Sequence, residues 1–116
     1  MVTFLCYNKC STCQKAQKWL DERKIPYLFR DIKGEHPAAE ELTRWHAKSG
    51  LPLRKFFNTS GLLYKSLALK DKLPTMTEEE MIALLASDGM LVKRPLVIGE
   101  DFILIGFKEA EWAEKF

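Results

Sequence analysis

Val2-Thr3-Phe4-Leu5-Cys6-Tyr7-Asn8-Lys9-Cys10-Ser11-Thr12-Cys13 is the stretch on which the reading of the whole chain turns. Its first six residues are apolar, β-branched or aromatic, and Asn8-Lys9 halts the run, which predicts a buried strand over residues 2–7. Cys10 and Cys13 follow with two residues between them. Ala16, Trp19 and Leu20 then recur at helical spacing with charges on the other face, which predicts a helix continuing to Lys24. Ser11 or Thr12 is the expected cap of that helix. Ile25-Pro26 breaks it, since proline lacks an amide hydrogen and its ring crowds the preceding turn. Tyr27-Leu28-Phe29-Arg30-Asp31-Ile32 returns as a second strand. Together these form a strand-helix-strand unit of about 30 residues, the size of a crossover joining parallel neighbours.

Further along, the pattern from Pro37 to about Gly89 is helical. Pro37 opens a helix through Leu42 and Trp45 to Ser49, with Gly50 as its stop. Leu53 to Leu69 is shorter and is broken by Asn58-Thr59-Ser60-Gly61. Thr77-Glu78-Glu79-Glu80 has the form of a capping box ahead of Met81, Ile82, Leu84 and Leu85, and Asp88-Gly89 ends that helix. Leu96-Val97-Ile98 and Phe102-Ile103-Leu104-Ile105 flank Gly99-Glu100-Asp101, a hairpin signal with three connecting residues. A last helix is expected from Lys108 to Lys115, anchored by Trp112. The order is β-α-β, then helices, then β-β-α. It predicts an α/β fold of thioredoxin-like type: a mixed sheet of about four strands, with a helical insertion over about 37–89 between the two halves. Residues 1–116 are expected to form one domain, since 116 residues suffice for one core and not for two.

Composition narrows the function. The net charge is +2 with both signs interspersed, so no nucleic-acid footprint is indicated and no direct nucleic-acid contact is expected. No apolar run reaches the roughly 20 residues of a bilayer span, and the amino terminus lacks a signal-peptide pattern, so no membrane association and a cytoplasmic location are expected. Three cysteines is an odd number for a disulfide framework and points to reduced or redox-active thiols.

The pair Cys10 and Cys13 lies at the predicted strand-to-helix turn. A thiolate at a helix amino terminus gains from unpaired amides and from the positive end of the dipole, so Cys10 reads as the nucleophile. Ser11 and Thr12 form the loop that supports it. Cys13, one turn on, is near enough to attack a mixed disulfide on Cys10 and so reads as the resolving thiol. Two other readings of the pair are inert packing and zinc ligation. Zinc would need two more ligands, and neither His36 nor His46 has paired spacing with the cysteines; no metal and no cofactor are expected. Cys6, inside an apolar strand, reads as a core thiol. Arg94-Pro95 precedes the hairpin. A cis bond there would face the backbone to the cysteine loop and bring Arg94 near Cys10, whereas a trans strand start would leave a solvent arginine; the residues alone favour neither.

The sequence resembles the arsenate reductase-like family, the ArsC/Spx group of thioredoxin-fold proteins. The likeness rests on Phe4-Leu5-Cys6-Tyr7-Asn8-Lys9-Cys10, on Leu53-Arg54-Lys55-Phe56-Phe57-Asn58-Thr59-Ser60-Gly61, and on Lys93-Arg94-Pro95-Leu96-Val97 with Gly106-Phe107-Lys108. It implies a catalytic Cys10, an oxyanion-contacting Arg94 and a structural cis-proline at Pro95. It also implies a thiol reductant as partner: thioredoxin, glutaredoxin or a low-molecular-weight thiol. Asn58 and Phe107 stand where the arsenate reductases carry two further arginines, which leaves fewer charge-assisted donors for an arsenate dianion. The expected function is therefore that of a thiol-disulfide oxidoreductase resembling arsenate reductases. The alternative is a redox-sensing transcription regulator of the Spx type, which the Cys10-Cys13 pair and the Asn58–Gly61 segment resemble, with the RNA polymerase alpha subunit as partner.

Overall fold

The computed structural model describes residues 1–116. Strand β1 (Val2–Cys6) runs into helix α1 (Ser11–Glu22), and β2 (Tyr27–Asp31) returns parallel to β1 in the register Val2 to Tyr27 through Cys6 to Asp31. Helices α2 (Ala39–Ser49), α3 (Leu62–Ser66), α4 (Leu69–Lys72) and α5 (Glu78–Ser87) follow, with short 3-10 turns at Leu53–Phe56, Leu73–Thr75 and Gly89–Leu91. Strands β3 (Leu96–Ile98) and β4 (Ile103–Ile105) pair antiparallel, and α6 (Glu109–Lys115) closes the chain. The sheet order is β2-β1-β3-β4, with β3 antiparallel to β1. The mixed sheet and the helices between its halves are those expected from the pattern of residues. No helix is long and apolar enough to cross a membrane.

Successive strand residues point to opposite faces, so β1, β3 and β4 each feed two cores. Phe4, Cys6, Val97 and Leu104 turn toward Ala16, Trp19 and Leu20 of α1 and Trp112 of α6. Leu5, Leu96 and Ile103 turn the other way, toward Leu42 and Trp45 of α2, Leu85 of α5 and Phe56 and Phe57.

Several local expectations are met at the level of single bonds. Thr77 Oγ1 accepts from the Glu80 amide at 3.1 Å, and Glu80 Oε1 accepts from the Thr77 amide at 2.9 Å, the reciprocal pair of a capping box. Gly50 ends α2 with a φ of 67°, a left-handed conformation that glycine adopts without strain. Gly89 sits so close to the residue that follows β2 that a Cβ there would lie 1.8 Å from the Ile32 carbonyl oxygen. That contact docks the segment leading to Arg94 against the end of the parallel pair.

Two expectations need correction. The hairpin connection spans four residues rather than three: the Gly99 amide donates to the Phe102 carbonyl at 2.9 Å, so Phe102 closes the turn and β4 starts at Ile103. Neither Ser11 nor Thr12 caps α1. Cys10 occupies the cap position with an extended backbone, and Ser11 and Thr12 become the first two helical residues, both exposed.

The junction of β2 with α2 carries the chain's best-formed ion pair. Arg30 donates through Nη1 and Nη2 to the two carboxylate oxygens of Glu41 at 2.6 and 2.8 Å, and its Nε donates to the Glu35 carbonyl at 2.9 Å. The hydrogen bonds from Arg30 outweigh burial and hold the Glu41 carboxyl down at about 2, with help from the Ala38 amide.

Candidate functional site

Cys10 stands where β1 has ended and α1 has not begun. Its amide donates to the Tyr7 carbonyl at 3.0 Å and its carbonyl accepts from the Gln14 amide at 3.0 Å. Gln14 Nε2 reaches back to the Asn8 carbonyl at 2.9 Å, clamping the loop onto the first helical turn. Ser11, Thr12 and Cys13 follow, and their amides have no acceptor within the protein. Cys10 is thus next to unpaired donors and the positive end of a 12-residue helix. It is partly buried and carries a free thiol.

Cys13, the third residue of α1, points inward and is 1 % exposed, as is Cys6 at the end of β1. Their sulfurs are bonded to each other, with Cα atoms 5.7 Å apart. The Tyr7 amide donates to Cys13 Sγ at 3.3 Å. The two-residue spacing leads one to expect Cys13 against Cys10; in the structure its partner is Cys6. The reason lies in the alternation of β1, which turns Phe4 and Cys6 to the face covered by α1, where the inner side of the helix presents Cys13 and Ala16. Cys6 is buried as expected of a core residue, but it is bonded rather than an isolated thiol. Cys10 packs against the rim of the same cluster.

Arg94 approaches from the far side of the sequence. The Arg94–Pro95 peptide bond is cis. The guanidinium lies 5.5 Å from the centre of the Tyr7 ring, and its Nη1 is 3.5 Å from the Met90 carbonyl. Arg94 Nε is buried with no hydrogen-bond partner, so it has donor capacity to spare. Cys10, Thr12 and Arg94 line one open cavity of about 1080 Å³. Asn58 and Phe107 line it too, Phe107 with its ring 4.9 Å from that of Trp112. Arg54, Lys55, Lys93 and Lys108 add positive charge to the lining, against Glu111 alone as a carboxylate. Ser11 is exposed and outside the lining. No group of three or more His, Cys, Asp or Glu side chains is placed to hold a metal ion.

Reading by residue type overlooks Tyr7, whose amide serves Cys13 and whose ring faces Arg94, and the basic lining. Tyr7 carries no chemical signal of its own. The cations come from three distant segments, so no local charge run announces them. The Cys6 partnership has a trace in the sequence: in an alternating strand, residues 4 and 6 share a face.

The sequence matches the ArsC family over residues 5–115. A solved ArsC-family-related protein from Bacteroides fragilis superimposes with a TM-score of 0.95 at 60% identity, covering 97% of this chain and 95% of that one. A solved structure from Streptococcus mutans, described as a possible arsenate reductase, gives 0.91 at 49% identity over 100% and 98% of the two chains. The global transcriptional regulator Spx of Staphylococcus haemolyticus is 29% identical over 112 residues, 96% of this chain and 83% of that protein. With a sequence match over residues 5–115 and the same fold at 60% identity, the chain belongs to the ArsC family.

Proposed function

We propose that the protein is a thiol-dependent reductase of disulfides or small oxidised substrates, in which Cys10 is the nucleophile and Cys13 the resolving thiol. The observation that supports this reading above the others is the setting of Cys10: a free thiol beside unpaired helix-terminal amides, at the wall of a cation-lined cavity. The thiolate is the attacking form of a cysteine. Cys10 attacks one sulfur of a substrate disulfide and forms a mixed disulfide, and the other substrate sulfur leaves as a thiolate. Cys13 then displaces the remaining substrate thiol, and an external thiol reductant restores the protein. The surplus of cations favours an anionic substrate. Asn58 and Phe107 supply no charged donors, so a disulfide suits the cavity better than an arsenate dianion does.

The test is turnover of a small anionic disulfide in a thiol-coupled assay. Cys10→Ser is expected to reduce the rate to the uncatalysed background, and Arg94→Ala to lower it severalfold at unchanged fold. An unaltered rate in the Cys10 variant would end the proposal.

The likeness to Spx supports a second reading, a redox-switched binding module for the RNA polymerase alpha subunit. Oxidation would then have to change partner affinity, because linkage demands it. Absence of binding to the alpha subunit in both redox states would remove that reading.

A further inference from the structure

Cys6 is the one reactive group that the chemistry above leaves idle, yet its sulfur is bonded to that of the resolving thiol. Cys13 is linked to both of the other cysteines, to Cys6 by the bond between their sulfurs and to Cys10 through the start of α1. Cys10 packs against the cluster that holds Cys6 and Cys13. Cys6 and Cys13 are each 1 % exposed beneath Phe4, Leu20 and Trp112, so a thiol in solution has no direct path to either. Cys10, on the rim, is the entry.

We propose that Cys6 is a third redox residue, and that oxidising equivalents captured at Cys10 pass through Cys13 to a buried Cys6–Cys13 disulfide. The proposal rests on the reading of Cys10 as entry nucleophile and extends it. In the reduced protein the Cys10 thiolate attacks a substrate R–S–S–R′, forming Cys10–S–S–R and releasing R′S⁻. The Cys13 thiolate attacks Cys10 Sγ, forming the Cys10–Cys13 bond and releasing RS⁻. The Cys6 thiolate then attacks Cys13 Sγ; the Cys6–Cys13 bond forms, the Cys10–Cys13 bond breaks, and Cys10 leaves as a thiolate. The protons of the Cys13 and Cys6 thiols go to the released substrate thiolates. Two electrons leave the buried sulfur pair and reduce one substrate disulfide, and the nucleophile emerges unchanged.

Two features of the structure suit the steps. The Tyr7 amide on Cys13 Sγ at 3.3 Å supports negative charge on the sulfur that must act as a nucleophile in the second step. The sulfur released in the third, that of Cys10, lies at the helix amino terminus next to the unpaired amides of Ser11, Thr12 and Cys13. The relay therefore runs toward the interior and leaves Cys10 ready for a second capture. Reduction by a low-molecular-weight thiol retraces the path, again through Cys10.

Oxidised glutathione is the probe. Fully reduced protein is exposed to it, quenched in acid, alkylated and digested with trypsin. Cleavage after Lys9 and Lys15 separates Cys6 from a peptide that carries both Cys10 and Cys13. The relay predicts that peptides 1–9 and 10–15 are linked through Cys6 and Cys13 and that Cys10 is alkylated. An internal Cys10–Cys13 loop with alkylated Cys6 would overturn the relay and leave the proposed function standing. The Cys6→Ser protein should stop at that internal loop. With excess probe the wild type should release about three glutathione thiols per chain, Cys6→Ser about two and Cys13→Ser about one. Equal release from the wild type and Cys6→Ser would also refute the relay. If Cys13→Ser acquires no glutathione on Cys10, the entry nucleophile is wrong, and the proposed function falls with the relay. The wild-type peptide map requires no variant to fold.

Discussion

The two faces of the sheet are built from the same strands and do different work. On the α1 side, Trp112 is fully buried and meets Phe4, Trp19 and Phe107 edge-on, with ring centres 4.9 to 6.3 Å apart. This face contains the bonded sulfurs and carries Cys10 at its rim. The opposite face is a larger, mainly aliphatic core over the inserted helices. Its contribution to the site is a wall: Phe57, Leu63 and Ile103 belong to or pack on that core and also line the cavity. One residue of offset along β1 decides the division, since Leu5 faces the wall and Cys6 the chemistry. Reactive groups held by rigid aromatic packing can be aimed, whereas a wall formed by an insertion can change its lining without disturbing them.

The largest effect should come from cutting into the aromatic face. Trp112→Ala removes the central ring and leaves the Gly106 carbonyl, which accepts from the indole nitrogen at 3.1 Å, without that donor. A loss of about 3–5 kcal/mol is expected from denaturant titration. In the reduced protein Cys13 should also become accessible to alkylation. A change at Leu85, in the other core, should lower stability without exposing Cys13. If Trp112→Ala costs less than about 1 kcal/mol, the aromatic face is not the rigid half.

Acid should separate the faces by a different route. The Glu41 carboxyl titrates at about 2 in the folded protein against an ordinary value of 4.5. A depressed folded value means that stability is present above the ordinary value and is lost as pH falls toward the folded one. The window is therefore between pH 4.5 and about 2. Arg30 and Glu41 keep 22% and 24% of their side-chain exposure, so solvent screening trims the effect to about 2 kcal/mol. Glu41→Gln should remove this part of the acid dependence. Hydrogen exchange should show the β2–α2 junction opening before α1 does; simultaneous opening would mean that the ion pair stabilises both halves equally.

The fold was legible where its signals are local. Pro26 and the change from helical to strand pattern mark the first crossover, Gly50 and Asp88-Gly89 mark helix ends, and the Gly99 region marks the hairpin. Cys10 was legible for the same reason, because a strand, a turn and a helix with a cysteine at the joint lie within a dozen residues. The pairing of Cys13 was not, since the near neighbour in sequence competes with a farther one that strand alternation brings underneath. Arg94 required the family resemblance: it shares a cavity with Cys10 across more than 80 residues of chain, beyond a docking of Gly89 against Ile32 that no local pattern encodes.

The smallest of the expected effects tests whether the wall is as independent of the chemistry as its packing implies. Thr77 caps α5: its Oγ1 accepts from the Glu80 amide, and its own amide donates to Glu80 Oε1. Thr77→Ala leaves the Glu80 amide without its acceptor, while the bond from the backbone amide of residue 77 to Glu80 Oε1 stays available. The cost should be about 1 kcal/mol, read as a lower denaturation midpoint at unchanged slope. Helix α5 packs on α2 and on the 3-10 turns at Leu53–Phe56 and Gly89–Leu91, and its buried Leu85 belongs to the core on the side of the sheet away from α1. Fraying its first turn should therefore leave the alkylation rate of Cys10 where it was. A Cys10 rate that moved with this cap would show that strain in the insertion reaches Cys10, and the division of labour between the faces would have to be redrawn.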